Sequence, residues 1–407
     1  MAPLKNASRT KMYSLRPTQI PLHILAVAFT AVMWLYACSS AHAQDELVTL
    51  ELDDLTRTAL VYVPDNVASP APVVLCLHGY TNNAVFQMEY SALNTVADEA
   101  GFVAVYPQGE PDELGINHWN ADFDPSDVDD LAFLQALLDL LEADYDADPQ
   151  RLYSCGFSNG GMMSYALACA IPDRIAAVAS VAGTMPDNLL ADCVPSQPVP
   201  TMHIHGDLDL IVPYNGGGLG EQTGFGSLSS VEETVEFWSN TYAACQETAT
   251  SDLPNTSLLD LCTVTKTVHD ACVNGAEYWN YTINGGGHTW PGAFPLVVVG
   301  STNQDIDASA EIWEFFQMHP LQSVENIASS EAGYGSLRCY PNPTSTALTI
   351  STTTLDFSVI HIRDLIGNIV HTERISQPEH TILLSDIPSG MYTVQLGLLS
   401  ERFVIQH

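Results

Sequence analysis

The chain has 407 residues, which is enough for one large domain and one small domain, and its apolar content is sufficient for a sizeable core. It has 12 Lys and Arg residues against 48 Asp and Glu residues, a formal net charge of −36. A surface this acidic repels nucleic acid and anionic membranes, so no nucleic-acid partner is expected, and it suits an extracellular protein.

Residues 1–43 are predicted to be a secretory signal peptide, with either Met1 or Met12 as the first residue. An apolar run covers residues 24–38, and Ala41-His42-Ala43 forms a small-x-small cleavage site before Gln44. The run is shorter than the ~20 residues that a membrane-spanning helix needs. The basic region in front of it is formed by Lys5, Arg9, Lys11 and Arg16.

Residues 44–320 are predicted to form one α/β domain with a doubly wound, mostly parallel sheet, because apolar strands alternate with helices and polar loops follow the strand ends. The first two strands are predicted to form an edge hairpin. Strands are predicted at 47–52, 58–63, 73–77, 103–106, before Gly156, at 175–181, 201–205, 264–268 and 277–283. Helices are predicted up to about Ala100, over 128–141, after Gly161, over 231–242 and over 308–318.

The composition changes after Pro320. Residues 321–335 are small and polar, which predicts a linker. Residues 336–407 then contain six short apolar segments separated by Gly, Pro and Asp turns, which predicts a small all-β sandwich.

Eight of the nine cysteines lie after the predicted signal peptide. Cys76 and Cys155 fall within predicted strands and are expected to be buried apolar residues. The first candidate disulfide is Cys169–Cys193, since secreted proteins retain such bonds. One further pair is expected among Cys245, Cys262 and Cys272, and spacing alone does not choose it.

Gly156-Phe157-Ser158-Asn159-Gly160 lies between a predicted strand and a predicted helix. This is the setting of the G-x-S-x-G nucleophile elbow, in which the serine stands on a sharp turn at a helix N-terminus. The two glycines are expected because strand and helix approach so closely that side chains there would clash. An ordinary Ser-Asn-Gly-Gly turn is the alternative interpretation.

A nucleophilic serine needs a base, an acid that orients the base, and donors for the oxyanion. In this type of sheet the partners follow in the chain order Ser, Asp, His. Asp209 follows strand 201–205, and His288 lies in the glycine-rich loop after strand 277–283. We therefore predict a triad of Ser158, Asp209 and His288, with no cofactor. A turn-capping Asp209 and a surface-loop His288 are the alternatives.

The oxyanion hole is expected to use two backbone N–H groups. One is that of Asn159, which the elbow positions. The other is expected from Tyr80, in the loop after strand 73–77, because Gly79 permits an inward turn there.

Seven motifs recur along the predicted α/β domain: Leu77–Tyr80, Trp119-Asn120, Val128–Leu134, Gly156–Met163, His203–Gly206, Asp209 with Val212–Tyr214, and Gly286–Gly292. Together they resemble the poly(3-hydroxybutyrate) depolymerase and feruloyl esterase family of α/β-hydrolases, including its carbohydrate esterases. The resemblance covers about residues 46–320 and implies a secreted serine ester hydrolase with the triad named above. It implies as substrate a plant-wall polysaccharide ester (feruloyl or acetyl) or a polyester.

Three aromatic residues near these motifs, Trp119, Tyr214 and Trp290, are candidates for substrate binding. For the two tryptophans the alternative is a place in the core. No metal site is predicted. The acidic run Asp122–Asp130 lacks the glycine and the final glutamate of an EF-hand, and acids are expected where a helix starts.

The C-terminal segment contains four short motifs, Cys339–Thr344, Ile362–Gly367, Pro388–Tyr392 and Arg402–Ile405. Together they resemble a type IX secretion sorting domain. The resemblance implies the outer-membrane secretion machinery as a partner and an extracellular or cell-surface location. A carbohydrate-binding sandwich is the alternative for this domain. For the whole chain, the rival from another class is a non-catalytic surface protein that binds glycans on a hydrolase scaffold.

Overall fold

The computed structural model describes residues 44–406 apart from ten gaps. The predicted signal peptide and all of the predicted linker after residue 321 lie outside the described residues. The gaps are 53–54, 114, 123–125, 218–225, 322–336, 353–358, 364–368, 375–376, 385–386 and 397–398.

The larger part of the chain contains the strands β1 Gln44–Leu52, β2 Leu55–Val63, β3 Ala71–Leu77, β4 Val103–Pro107, β5 Ala147–Phe157, β6 Ala177–Val181, β7 Thr201–Gly206, β8 Glu247–Asp252, β9 Thr263–Asp270 and β10 Tyr278–Asn284. They form one ten-stranded sheet with the order β1-β2-β4-β3-β5-β6-β7-β10-β9-β8. The six central strands of this order, β4 to β10, are parallel, and an antiparallel pair is added at each edge.

The helices cover both faces of this sheet, so the central strands are buried and read as continuous apolar runs. Side chains alternate between the faces of each strand, and this divides the core into two clusters. The helices are α1 Ala84–Ser91, α2 Leu93–Ala100, α3 Asp130–Asp144, α4 Asn159–Ala170, α5 Asp187–Asp192, α6 Val231–Glu236 with a π-helical continuation Phe237–Tyr242, and α7 Ala308–Met318.

The predicted doubly wound α/β fold and its edge hairpin are confirmed. Strand β8 was not predicted, because its sequence Glu-Thr-Ala-Thr-Ser-Asp has no apolar alternation. All six of its residues are exposed. Acidic side chains do start α3 as expected: Asp129 accepts a hydrogen bond from the N–H of Ala132 at 2.8 Å. Among the described residues, no helix is long and apolar enough to cross a membrane.

Two disulfides are present in the described part of the chain, Cys169–Cys193 and Cys245–Cys272. The first confirms the candidate pair, and the second resolves the choice that spacing left open. Cys76 and Cys155 are buried and stand opposite each other on β3 and β5, which confirms their expected place in the core.

The C-terminal segment forms two antiparallel sheets with a shared apolar core. All six predicted strands are present, and a seventh, β11, precedes them. Its sequence Leu-Arg-Cys-Tyr is short and mixed in polarity, so it was not predicted. One sheet has the order β11-β12-β15 and the other β14-β13-β16-β17, with bounds Leu337–Tyr340, Ala347–Thr352, Val359–Arg363, Ile369–Arg374, Glu379–Leu383, Gly390–Leu396 and Leu399–Ile405 for β11 to β17.

Candidate active site

Ser158 stands on the sharp turn between β5 and α4, with φ 55° and ψ −119°. A non-glycine residue in this left-handed region is strained, and such strain persists where the surrounding structure enforces it. The expected close packing is present: a Cβ on Gly156 would lie 2.3 Å from the carbonyl of Gly160, and one on Gly160 would lie 2.3 Å from the oxygen of Leu77. Side chains at either glycine would push the strand and the helix apart.

Backbone hydrogen bonds hold the strained turn. The N–H of Ser158 donates to the oxygen of Val181 at 2.8 Å, and the Ser158 carbonyl accepts from the N–H groups of Gly161 and Met162. Ser158 is 8% exposed, and its neighbour Phe157 packs against the His288 ring with 4.8 Å between ring centroids. The elbow and the His288 loop therefore meet at this point.

Asp209 and His288 are joined by a hydrogen bond of 2.7 Å between Oδ2 and Nδ1. The other carboxylate oxygen accepts from the N–H groups of Ile211 and Val212 at 2.8 and 2.9 Å. Burial raises the pKa of Asp209, but the hydrogen bonds from His205 and His288 outweigh it and leave this pKa below its ordinary value. Since an ionised carboxylate only accepts, Nδ1 of His288 carries a proton, and Nε2 of the neutral ring is a proton acceptor.

Close backbone approaches place the His288 loop. A Cβ on Gly206 would lie 2.4 Å from the oxygen of Gly286, so only glycine fits at the end of β7. The N–H of His288 donates to the oxygen of Val299 at 2.9 Å. The glycine-rich sequence after β10 thus allows His288 to reach the acid that follows β7.

On the other side of Ser158, the Asn159 side chain holds the loop that follows β4. Its Oδ1 accepts from the N–H of Trp119 at 2.7 Å, and its Nδ2 donates to the oxygen of Trp119 at 3.0 Å. The indole N–H of Trp119 donates to the carbonyl of His78 at 3.0 Å. Three segments, the elbow, the loop after β3 and the loop after β4, are therefore bonded together.

His78 is a further residue of this cluster, to which sequence reasoning assigned no role. The N–H of Gly109 donates to its Nε2 at 3.0 Å, so the proton lies on Nδ1, which donates to the oxygen of Gly79 at 2.8 Å. Burial is the main reason that the pKa of His78 is lowered to about 4. A neutral ring with one defined tautomer thus shapes the loop that carries Tyr80.

The turn near Tyr80 combines a close approach with a left-handed residue. Gly79 permits the close approach, because a Cβ there would lie 3.1 Å from the Phe157 ring. Thr81 takes the left-handed conformation, with φ 72°. The Tyr80 hydroxyl donates to Asp112 at 2.6 Å, which ties its side chain to the loop after β4.

The structure places the two candidate tryptophans in the core. Trp119 is 0% exposed and Trp290 1%, and the indole N–H of Trp290 donates to Ser309 at 3.2 Å. Side chains without accessible surface support loops, so the burial favours the alternative of a place in the core over substrate binding for these two tryptophans. Tyr214 is half-buried, and its hydroxyl lies 2.8 Å from that of Thr282.

The chain matches two family models. Residues 62–235 match the phospholipase/carboxylesterase family, and residues 338–405 match the secretion system C-terminal sorting domain. These matches agree with the elbow of the larger domain and with the C-terminal β-sheets.

Curated relatives extend the first match. The chain is 32% identical over 258 residues to NocK of Nocardia uniformis subsp. tsuyamanensis, which is named as an esterase, and covers 73% of it with 60% of its own length. It is 27% identical over 226 residues to feruloyl esterase B of Piromyces equi (54% of this chain, 39% of the relative). It is 26% identical over 181 residues to poly(3-hydroxyalkanoate) depolymerase C of Paucimonas lemoignei (44% and 43%).

The chain spans less than half the length of the last two relatives, but it spans most of NocK. The resemblance stated from the motifs is confirmed, and so is the sorting domain. The chain belongs to the carboxylesterase family of α/β-hydrolases, alongside feruloyl esterases and polyhydroxyalkanoate depolymerases, and it carries a sorting domain that directs it out of the cell or to its surface.

Proposed function

We propose that the protein hydrolyses carboxylic esters through Ser158, His288 and Asp209. The observation that carries this proposal is the 2.7 Å bond from His288 to Asp209, formed where the His288 ring packs beside the elbow. The bond orients the ring and leaves Nε2 as the base. Ser158 stands on the strained turn next to Phe157, whose ring contacts the His288 ring.

In the proposed reaction, Oγ of Ser158 attacks the ester carbonyl while Nε2 of His288 takes its proton. His288 returns that proton to the leaving alcohol, and an acyl-enzyme remains on Ser158. Water then attacks the acyl group, with His288 again as the base, and releases the acid. The carboxylate of Asp209 stabilises the imidazolium in both steps.

The negative oxygen of each tetrahedral intermediate needs donors that are already in position. We assign this role to the backbone N–H groups of Asn159 and Tyr80. Two observations support the assignment: Asn159 begins α4, where N–H groups lack partners within the helix, and His78 and Trp119 hold the Tyr80 loop against the elbow.

For the substrate we propose an extracellular polymer ester, either a feruloyl or acetyl ester of plant-wall polysaccharide or a polyester. The names of the relatives support the feruloyl ester and the polyester, and the sorting domain supports action outside the cell. The secretion machinery is the protein partner that this domain implies. A hydrolysis panel of methyl ferulate, acetylated xylan and polyhydroxybutyrate, run on the purified secreted protein, discriminates among the classes.

The decisive test of the chemistry is Ser158→Ala. We expect it to lower kcat on p-nitrophenyl acetate by about 10³-fold or more and to abolish labelling by a fluorophosphonate, without loss of folding. Ser251→Ala, an exposed serine on β8, is the matched control and should retain full activity and labelling. Activity of Ser158→Ala within tenfold of wild type would contradict the triad, and a folded wild type without labelling would favour a glycan-binding protein instead.

A further inference from the structure

Two histidines that the proposed reaction does not use lie beside Asp209. His203 and His205 are two residues apart on β7, so both side chains point to the same face of the sheet. They are 0% and 1% exposed, and their rings stack with 5.1 Å between centroids and 21° between planes. Polar rings buried this deeply are costly unless their nitrogens have partners.

All four ring nitrogens do have partners, and the contacts form a continuous chain. The Tyr165 hydroxyl, from α4, lies 2.7 Å from Nδ1 of His203. Nε2 of His203 lies 3.1 Å from Nδ1 of His205. Nε2 of His205 lies 2.9 Å from the oxygen of Val212 and 3.4 Å from Oδ2 of Asp209, the same oxygen that His288 contacts.

The chemistry of the groups fixes the direction of these bonds. The Val212 carbonyl and the Asp209 carboxylate only accept, so Nε2 of His205 carries a proton. In a neutral ring Nδ1 of His205 then accepts, which requires a proton on Nε2 of His203. Nδ1 of His203 must therefore accept from the Tyr165 hydroxyl. Each donor meets an acceptor, and the chain points from Tyr165 towards Asp209.

We propose that Tyr165, His203 and His205 form a positioning chain that holds the Asp209 carboxylate towards His288 and shares its negative charge. The proposal rests on the assigned triad and extends it into the core. One end of the chain lies on α4, the helix that begins at the elbow, and the other end lies at the acid. The three side chains thereby connect the element that carries the nucleophile to the group that orients the base.

The charge states of the chain agree with this arrangement. Burial, and secondarily the neighbouring His205, hold the pKa of His203 well below its ordinary value, so this ring is neutral. Burial likewise raises the pKa of Tyr165, which keeps its hydroxyl proton. The titratable groups that face the two rings in the described residues are Tyr165 from α4, Asp209 and Tyr214 from the loop after β7, and Tyr278 of β10 beside Tyr165.

The chain also acts on the base, His288, through Asp209. A hydrogen bond from His205 stabilises the charge on Asp209 and so weakens the pull of this carboxylate on the His288 proton. Loss of the chain should therefore raise the pKa of His288. A role in folding alone would lower the yield or the stability and leave that pKa unchanged, so the two roles are separable.

The experiment measures the pKa of His288 by NMR titration in a Ser158→Ala background, so it does not depend on turnover. The His288 resonance is assigned by its loss in His288→Gln. Tyr165→Phe removes only the hydroxyl that starts the chain, and His205→Met removes the donor to Asp209. Tyr153→Phe is the matched control, because Tyr153 is a buried tyrosine whose hydroxyl has no hydrogen-bond partner among the described residues.

We expect His205→Met to raise the pKa of His288 by roughly half a unit or more, Tyr165→Phe to raise it by less, and Tyr153→Phe to leave it unchanged. His205→Gln restores an N–H donor and should return the value towards wild type. An unchanged or lowered pKa in both Tyr165→Phe and His205→Met would overturn the proposal, and Tyr165→Phe keeps it testable if His205→Met does not fold. If the triad itself is wrong, Ser158→Ala alone retains activity, a different outcome from failure of the chain.

Discussion

The Asn159 side chain bonds to both backbone groups of Trp119, accepting from its N–H at 2.7 Å and donating to its carbonyl at 3.0 Å. Asn159 directly follows Ser158, so this pair of bonds joins the elbow to the loop after β4. The indole of Trp119 continues the connection to the carbonyl of His78. The loop that carries Tyr80 is therefore linked to the elbow through Asn159 and Trp119.

We predict that Asn159→Ala destabilises the protein by about 2–4 kcal/mol and lowers kcat/KM for p-nitrophenyl acetate. The substitution leaves a buried N–H and a buried carbonyl of Trp119 without partners, and each costs about 1–3 kcal/mol. Urea unfolding and initial rates measure the two effects. Asn240→Ala, at an exposed asparagine that bonds to Glu236, should change stability by less than about 0.5 kcal/mol. Equal effects of the two substitutions would contradict the role of Asn159.

Gly160→Ala should destabilise the protein by about 2–3 kcal/mol and reduce activity, because the added methyl would lie 2.3 Å from the Leu77 oxygen and 2.6 Å from that of His78. Relief of this clash displaces either the elbow or the loop after β3. Denaturant unfolding and the rate of ester hydrolysis provide the measurements.

The control for this substitution is Gly217→Ala. Gly217 has φ 87°, and among the described residues no atom lies within 4 Å of its Cβ position, so only backbone strain of about 1–2 kcal/mol is expected there, with activity retained. A fully active Gly160→Ala protein would show that the contact between elbow and strand is not needed in this form.

His319 should make the protein less stable in mild acid. Burial, opposed in part by Asp270, lowers its pKa to about 4, whereas an unfolded histidine titrates near about 6.5. Between these two pKa values the unfolded state binds more protons than the folded state. The contribution of neutral His319 to the free energy of unfolding is therefore complete above the unfolded pKa and is lost as the pH falls towards about 4. This contribution is on the order of 3 kcal/mol.

His319→Leu tests this, because the ring packs on Phe315 with 4.5 Å between centroids and an apolar side chain keeps that contact. Urea unfolding at about pH 7 and about pH 4.5 should give a smaller loss of stability for the variant than for wild type. Some dependence of stability on pH will remain in the variant, since the pKa of His78 is lowered in the same range. An identical loss of stability between the two pH values in variant and wild type would disprove the assignment to His319.

The disulfide Cys169–Cys193 joins the last turn of α4 to the end of α5 across 24 residues. Replacing both cysteines by serine should cost about 3 kcal/mol, since a loop of this size gains that much freedom in the unfolded chain. Thermal unfolding without reductant measures the loss. Cys262→Ser removes a buried thiol that is in no disulfide and should cost less; a larger loss from Cys262→Ser would contradict the prediction.

Local patterns were sufficient for most of the fold. The apolar runs of β3 and β4, the glycines of the elbow and the Asp129 cap each depend on neighbours in the chain, so their structural consequences were readable from the sequence. The exposed strand β8 has no apolar pattern that predicts it. It forms because it pairs with β9 at the sheet edge. The pairing of Cys245 with Cys272 depends on which cysteines the fold brings together, and their spacing in the sequence did not determine it.

The sequence by itself determined which residues the proposed site uses. Ser158, Asp209 and His288 lie in the required order after strands β5, β7 and β10, and parallel strands bring their C-terminal ends to one edge of the sheet. Only the tertiary structure decided which other side chains hold those three residues in place. It buries Trp119 and Trp290. The bonds of Asn159, the chain from Tyr165 through His203 and His205, and the bond from the Trp290 N–H to the Tyr90 hydroxyl join segments up to 200 residues apart. Such contacts depend on packing and hydrogen-bond direction, which no local pattern contains.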